Sequence, residues 1–130
     1  MLPPYAETLG IAVDPADGDG RTLIMPYADA VLGRPGFLHG GAITGLMEMA
    51  AIVALRHDLA EDGARTIGGR IKPVNVTVDF MRGGRDKLTY GRAVVTRLGT
   101  RLANVDATAW QDDRAKPIAA ARMNYLIVRC

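Results

Sequence analysis

The sequence predicts an α+β fold in which an antiparallel sheet covers one long buried helix. Two observations carry that reading. In residues 42–55 (AITGLMEMAAIVAL) only Thr44, Gly45 and Glu48 are not plainly apolar, so the segment reads as a helix that is hydrophobic nearly all round and therefore enclosed. Beyond it the period changes to two. In residues 72–82 (KPVNVTVDFMR), Val74, Val76, Val78 and Phe80 fall on one face and Asn75, Thr77, Asp79 and Met81 on the other, the pattern of a strand buried on one side.

The elements follow in order. Residues 5–13 suit a short helix or an irregular arm, and residues 14–20 (DPADGDG) form a turn-rich connector. Residues 21–26 (RTLIMP) fit a first strand, and residues 27–38 a loop broken at Gly33-Arg34-Pro35-Gly36. The helix starts near Gly40 and ends near His57 or Leu59, where Asp58, Glu61, Asp62 and Gly63 turn the composition polar and Gly63 can stop it. About 18 residues at about 1.5 Å each make a rod of about 27 Å. Three strands follow that of residues 72–82, at residues 87–98, 101–111 and 117–129. Short polar breaks, RGGRD, Gly99-Thr100 and Asp112-Asp113-Arg114, make the tail a meander. Sequential strands of this kind form an antiparallel sheet whose apolar face needs the helix.

A chain of 130 residues is long enough for one compact domain and short for two, so residues 1–130 are expected to form a single domain, with 1–20 as arm and connector and 21–130 as the core. Its net charge is only +2 and its cations are scattered, which argues against a nucleic-acid partner. The single cysteine, Cys130, excludes an internal disulfide and fits a reducing compartment. The opening MLPPYAETLG lacks a basic region followed by an apolar core, so no signal peptide is expected and the cytoplasm is the default location. The apolar run of the helix is too short to cross a bilayer and carries Glu48 near its middle, so no membrane span is expected.

Glu48 is the residue that asks for an explanation. An ionised carboxylate in an apolar helix must find donors or change its protonation, and either outcome suits catalysis. The bland alternative is a buried ion pair with an arginine, or a place at a subunit interface. Gly40 and Gly41 open the helix, so their amides are among the first-turn donors without an intrahelical partner, and the absent Cβ atoms let an anion approach. Removing one oxyanion donor costs about 3 to 4 kcal/mol of transition-state stabilisation in a hydrolase. His39, just before them, suits a hydrogen-bonding role in shaping the turn, and His57 suits the helix end, where positive charge meets the dipole. Two histidines 18 positions apart and a terminal cysteine do not space a metal site, so no metal or other cofactor is expected. A Ser-His-Asp triad is impossible because the chain has no serine. Cys130, at an unanchored end, cannot hold a nucleophile's geometry. Arg82, Arg85, Lys87, Arg97 and Arg101 fall at or next to the turns between later strands, where solvated charge is the usual reading and phosphate binding the functional one.

HGGAITGLMEMA, residues 39–50, resembles the HGG, six residues, then Asp or Glu signature of hotdog-fold acyl-CoA thioesterases. VNVTVDFMRGG resembles the strand that follows it in the phenylacetic-acid-degradation type, and the likeness continues through TYGRAVVTRLGTRLANVDATAWQDD to the C-terminus. The resemblance implies a hotdog fold, a long helix wrapped by a curved antiparallel sheet, assembled as a homodimer or as a homotetramer of two dimers with sites between subunits. It implies hydrolysis of an acyl-CoA ester to a free acid and CoA. Gly40 would supply the oxyanion N–H, Glu48 the catalytic carboxylate as nucleophile or general base, and His39 the shape of the turn. Gly41, Asn75, Arg82 and Arg101 are the candidates for holding substrate. Some relatives carry Asn six positions before the motif histidine and others a hydroxyl one turn after the carboxylate; here these are Gly33 and Ile52. A polar residue at the start of the next strand would be Pro73 or Asn75. Two other readings stay open: a hydratase or dehydratase of the same fold using His39, and a non-catalytic acyl-CoA-binding protein.

Overall fold

The computed structural model describes residues 2–61 and 70–128. The chain begins with helix α1, Pro4–Leu9, which has proline in its first turn and ends at Gly10, whose φ of 71° is open to glycine at little cost. Strand β1, Ala12–Val13, pairs antiparallel with β2, Leu23–Met25, so the Asp/Gly-rich connector closes a hairpin. A 3-10 turn at Asp29–Val31 interrupts the loop before helix α2, Gly40–Glu61. Then come β3, Arg70–Phe80, β4, Thr89–Leu98, β5, Leu102–Trp110, and β6, Ala119–Val128.

The six strands form one antiparallel sheet in the order β1-β2-β4-β5-β6-β3. One face carries Ala103, Val105, Ala107 and Ala109 of β5 and Ala119, Ala121, Met123, Tyr125 and Ile127 of β6, all buried. Opposite them α2 presents Leu46, Met47, Ala50, Ala51, Ala54 and Leu55, all fully buried. Each large side chain of that set contributes about 1.5–3 kcal/mol by leaving water. The small residues on the strands set how close the rod lies: a Cβ at Gly91 would come within 2.8 Å of Leu46 Cγ. This long helix cradled in a curved sheet is the hotdog arrangement that the resemblance implied.

Three expectations are corrected. Helix α2 runs on to Glu61 instead of ending near His57 or Leu59, because Leu59 is still buried and Asp58 pairs with Arg21 at 2.8 Å. Its expected stop at Gly63 lies outside the described residues, as do Arg129 and Cys130. Strand β1 was not anticipated, since two residues carry no period. The third correction concerns β3. Its Val76, Val78 and Phe80 do share the helix-side face, opposite Met123, Ala121 and Ala119, while Val74 falls in a bulge between Pro73 and Asn75. That face is not buried: Val74 is 59% exposed, Val76 44% and Phe80 54%. The strand forms an edge of the sheet, and α2 lies mainly over β4 and β5. No described helix is long and apolar enough to cross a membrane.

Candidate active site

The segment before α2 is a tight hairpin. His39 N–H donates to Val31 O at 2.9 Å, Gly33 N–H to Phe37 O at 3.0 Å, and Leu38 N–H to Gly84 O at 2.9 Å. These bonds fix where the helix starts. The His39 carbonyl accepts from Ala42 N–H and Ile43 N–H, at 3.0 and 3.2 Å, while its ring Nδ1 accepts from Gly41 N–H at 2.8 Å. His39 is therefore the N-cap, an imidazole in the place usually taken by Ser or Asp. Accepting at Nδ1 puts the ring proton on Nε2. The cap also dictates glycine at 41, because a Cβ there would lie 2.9 Å from Nδ1.

The cap leaves one amide over. Among the described residues nothing accepts from Gly40 N–H. Gly40 lines an open cleft of about 400 Å³ whose floor is Leu38, Ile43 and Gly84 and whose rim includes Arg34, Phe80, Met81 and Arg82. Phe80 lies against Gly40; a Cβ on the glycine would sit 3.3 Å from its ring. A free donor at the positive end of a helix, bordered by apolar walls, is suited to a developing oxyanion.

Glu48 lies on the one less buried stripe of α2, with Gly41, Thr44 and Ile52, and is itself half-buried. Among the described residues it forms no ion pair. Its charge is felt by Tyr125 on the sheet below, whose phenol is pushed well above its ordinary value near 10, first by burial and second by Glu48. Among the described residues, the Tyr125 hydroxyl donates to Met123 Sδ, at 3.4 Å. Glu48 does not border the Gly40 cleft. Eight residues of helix, about 12 Å of rise, separate it from the free amide.

A family model described as the thioesterase superfamily matches residues 35–118, a stretch that contains the cap, the free amide, Glu48 and β3 to β5. The chain belongs to the thioesterase superfamily. Its structure is similar to that of a phenylacetic-acid-degradation-related protein and proposed thioesterase from Ralstonia eutropha, at 26% identity and TM-score 0.74, covering 97% of this chain and 91% of that one. A thioesterase family protein from Silicibacter pomeroyi is 23% identical, with TM-score 0.80 over 98% of this chain and 91% of that one. A Bacillus halodurans protein crystallised with CoA is 15% identical, with TM-score 0.79 over 95% of this chain and 75% of that one. The last two likenesses are likenesses of fold. No curated protein matches the chain. Thioester hydrolysis is the general chemistry to which this membership points.

The superfamily motif gathers some of the expected residues and not others. Gly40 and Arg82 share the cleft. Gly41 is beside it, its amide already occupied by His39. Asn75 points to the opposite face of the sheet, where its Oδ1 accepts from Asn124 Nδ2 at 2.7 Å, and Asn124 in turn pairs with Asn104. Arg101 stands in the turn between β4 and β5, with its carbonyl accepting from Ile127 N–H at 2.7 Å. At Gly33 a Cβ would meet His39 Cα at 3.2 Å, so a larger residue would have to displace the capping loop.

Three residues escaped the sequence reading. Arg34 and Phe37 precede the motif, and Phe80 ends β3; each lines the cleft. The two guanidinium groups of Arg34 and Arg85 both lie on the Phe37 ring, 4.1 and 4.3 Å from its centroid. The only signal available was the position of Arg34 and Phe37 in the Gly/Pro break beside the glycines. Far from this site, Arg92 draws the connector onto β4 by binding Asp17 and Asp19. Its hydrogen bond holds the Asp19 carboxyl well below the usual carboxylate range, and Asp19 raises Arg92 in return. That cluster is internally satisfied.

Proposed function

We propose that the protein hydrolyses an acyl-CoA thioester to a free carboxylic acid and CoA, with the Gly40 amide of one chain and Glu48 of a second chain acting on the same carbonyl. The observation that carries this reading is the amide left without an acceptor by the His39 cap. In the reaction the thioester oxygen would take up negative charge against Gly40 N–H. Glu48 either attacks the carbonyl carbon, giving an anhydride that water then opens, or takes a proton from a water that attacks directly. In both routes the C–S bond breaks and CoA leaves as the thiol after protonation.

Two features of one chain support this assembly. A single carbonyl must lie within about 3–3.5 Å of its attacking group while its oxygen meets the donor at about 3 Å, a span that the rise between Gly40 and Glu48 exceeds. The bare β3 edge carries exposed Val74, Val76 and Phe80 and unpaired backbone groups, which favours pairing with another strand. Antiparallel pairing of two β3 edges about a two-fold axis extends the sheet and lays two α2 rods side by side in opposite directions. The leading end of one rod then approaches the middle of the other. This is the homodimer of the reading; two such dimers would make a homotetramer. His39 serves this site as the cap, with its Nδ1 engaged by Gly41 N–H.

The test is complementation. Gly40→Pro removes the donor at the first helical position, where proline is tolerated, and Gly40→Ala is the control that keeps it. Glu48→Gln keeps shape and removes charge. Gly40→Pro and Glu48→Gln homodimers should each lose about 10²- to 10³-fold in kcat on acyl-CoA esters. Co-expressed, they should form a heterodimer with one intact site and recover activity. Full kcat in Glu48→Gln would end the assignment of the carboxylate, and two inactive variants without recovery would place acid and amide in one chain.

A further inference from the structure

We infer that the Arg34–Phe37–Arg85 cluster, whose Arg34 and Phe37 line the Gly40 cleft together with Arg82, is the seat of the substrate's phosphate groups; this rests on the reading that the substrate is a CoA ester. Like charges normally keep apart, yet Arg34 and Arg85 are held on one aromatic ring. The hold is structural. Phe37 and Arg85 form a backbone bridge, Leu38 N–H bonds Gly84 O at 2.9 Å, and a Cβ at Gly83 would strike the Phe37 ring at 2.9 Å. From behind, the Gln111 side-chain amide clasps both backbone groups of Arg85, accepting from its N–H at 3.0 Å and donating to its carbonyl at 2.9 Å. Arg85 is thus placed by Gln111, just past β5, and by the capping loop together.

Three cations elsewhere are answered by acids: Arg21 by Asp58 at 2.8 Å, Lys87 by Asp112 at 2.6 Å, and Arg92 by Asp17 at 3.0 Å and by Asp19. Among the described residues, Arg34, Arg82 and Arg85 have no carboxylate within ion-pair distance. A guanidinium lying on a ring keeps its N–H edge free, and that planar fork matches phosphate oxygens. The cleft sorts the substrate by polarity: its apolar floor and the Gly40 amide suit a thioester and its thiol arm, and its exposed cationic rim suits the phosphates. An acidic acyl group would carry only carboxylate charge, whereas the diphosphate of CoA offers oxygens to more than one fork.

The experiment compares one acyl group carried on CoA with the same group on pantetheine, which has no phosphate. In the double variant Arg34→Gln/Arg85→Gln, KM for the CoA ester should rise about tenfold or more while kcat changes little. KM for the pantetheine ester should stay unchanged, and high salt should shrink the wild-type advantage on the CoA ester. Arg34→Lys/Arg85→Lys, which keeps charge and loses the forks, should fall between. Equal losses on both esters, unchanged KM on both, or a loss confined to acyl groups bearing a carboxylate would each overturn the inference. Should the wild-type protein hydrolyse neither ester, the thioesterase reading fails separately. Calorimetry with CoA alone then decides: about tenfold weaker binding by the double variant supports the phosphate seat, and equal or absent binding overturns it.

Discussion

Strands β3 and β6 are neighbours of similar length with the same alternation of residues, and their fates differ. β6 alternates between buried and partly exposed, with Ala119, Ala121, Met123, Tyr125 and Ile127 sealed beneath α2. β3 pairs with it along nearly its whole length, yet Val76 and Phe80, on that same face, stay about half exposed. The patterning of the two strands is equivalent; the cover is not. One rod of helix cannot roof a sheet of six strands, and the part it leaves bare includes Phe80, which lies against Gly40. An apolar face that the chain does not cover itself is a face shaped for another surface.

Three substitutions break or sharpen this contrast. The largest effect is expected at the uncovered strand. Val76→Asp puts a charge on the proposed interface without touching the core, so sedimentation should show loss of the dimer and hydrolysis should fall by about 10²-fold or more, as when a donor is withdrawn. A variant that keeps both its assembly and its activity rules this edge out as the contact. Under the roof the cost is stability instead. Leu46→Ala, at a fully buried position against Gly91, should destabilise the fold by about 2–5 kcal/mol in denaturant titration. A loss below about 1 kcal/mol would mean that the helix settles readily onto the small residues of the sheet. At the boundary between the regions, His39→Ala removes the cap and should cost about 1 kcal/mol, seen as a melting point lower by a few degrees, with His39→Asn recovering part of it. An unchanged melting point would show that water caps Gly41 as well as the ring does.

Much of this was legible in residue order because it depends on local patterns. The apolar run around Glu48 declared an enclosed helix, and the alternation from Val74 to Phe80 declared a strand and which of its residues share a face, apart from the bulge at Val74. The division of labour at the HGG turn was not legible in the residues themselves, although the family resemblance assigned the oxyanion N–H to Gly40. Two adjacent glycines offer two equivalent amides on paper, and only the fold of the capping loop turns the His39 ring onto Gly41 and leaves Gly40 free. Asn75 shows the same limit: its side was readable relative to Val76, but not that this side looks away from the cleft toward Asn124.

By itself, then, the sequence determined the kinds of element, their order, the motif and its lone acid, since periodicity and backbone chemistry are properties of neighbours along the chain. The tertiary structure decided which apolar face is roofed, which amide is left to donate, and that Arg34 and Arg85, far apart in order, share one ring. Those outcomes depend on where distant segments meet, which is set by packing of the whole sheet and helix and is written in no single stretch of residues.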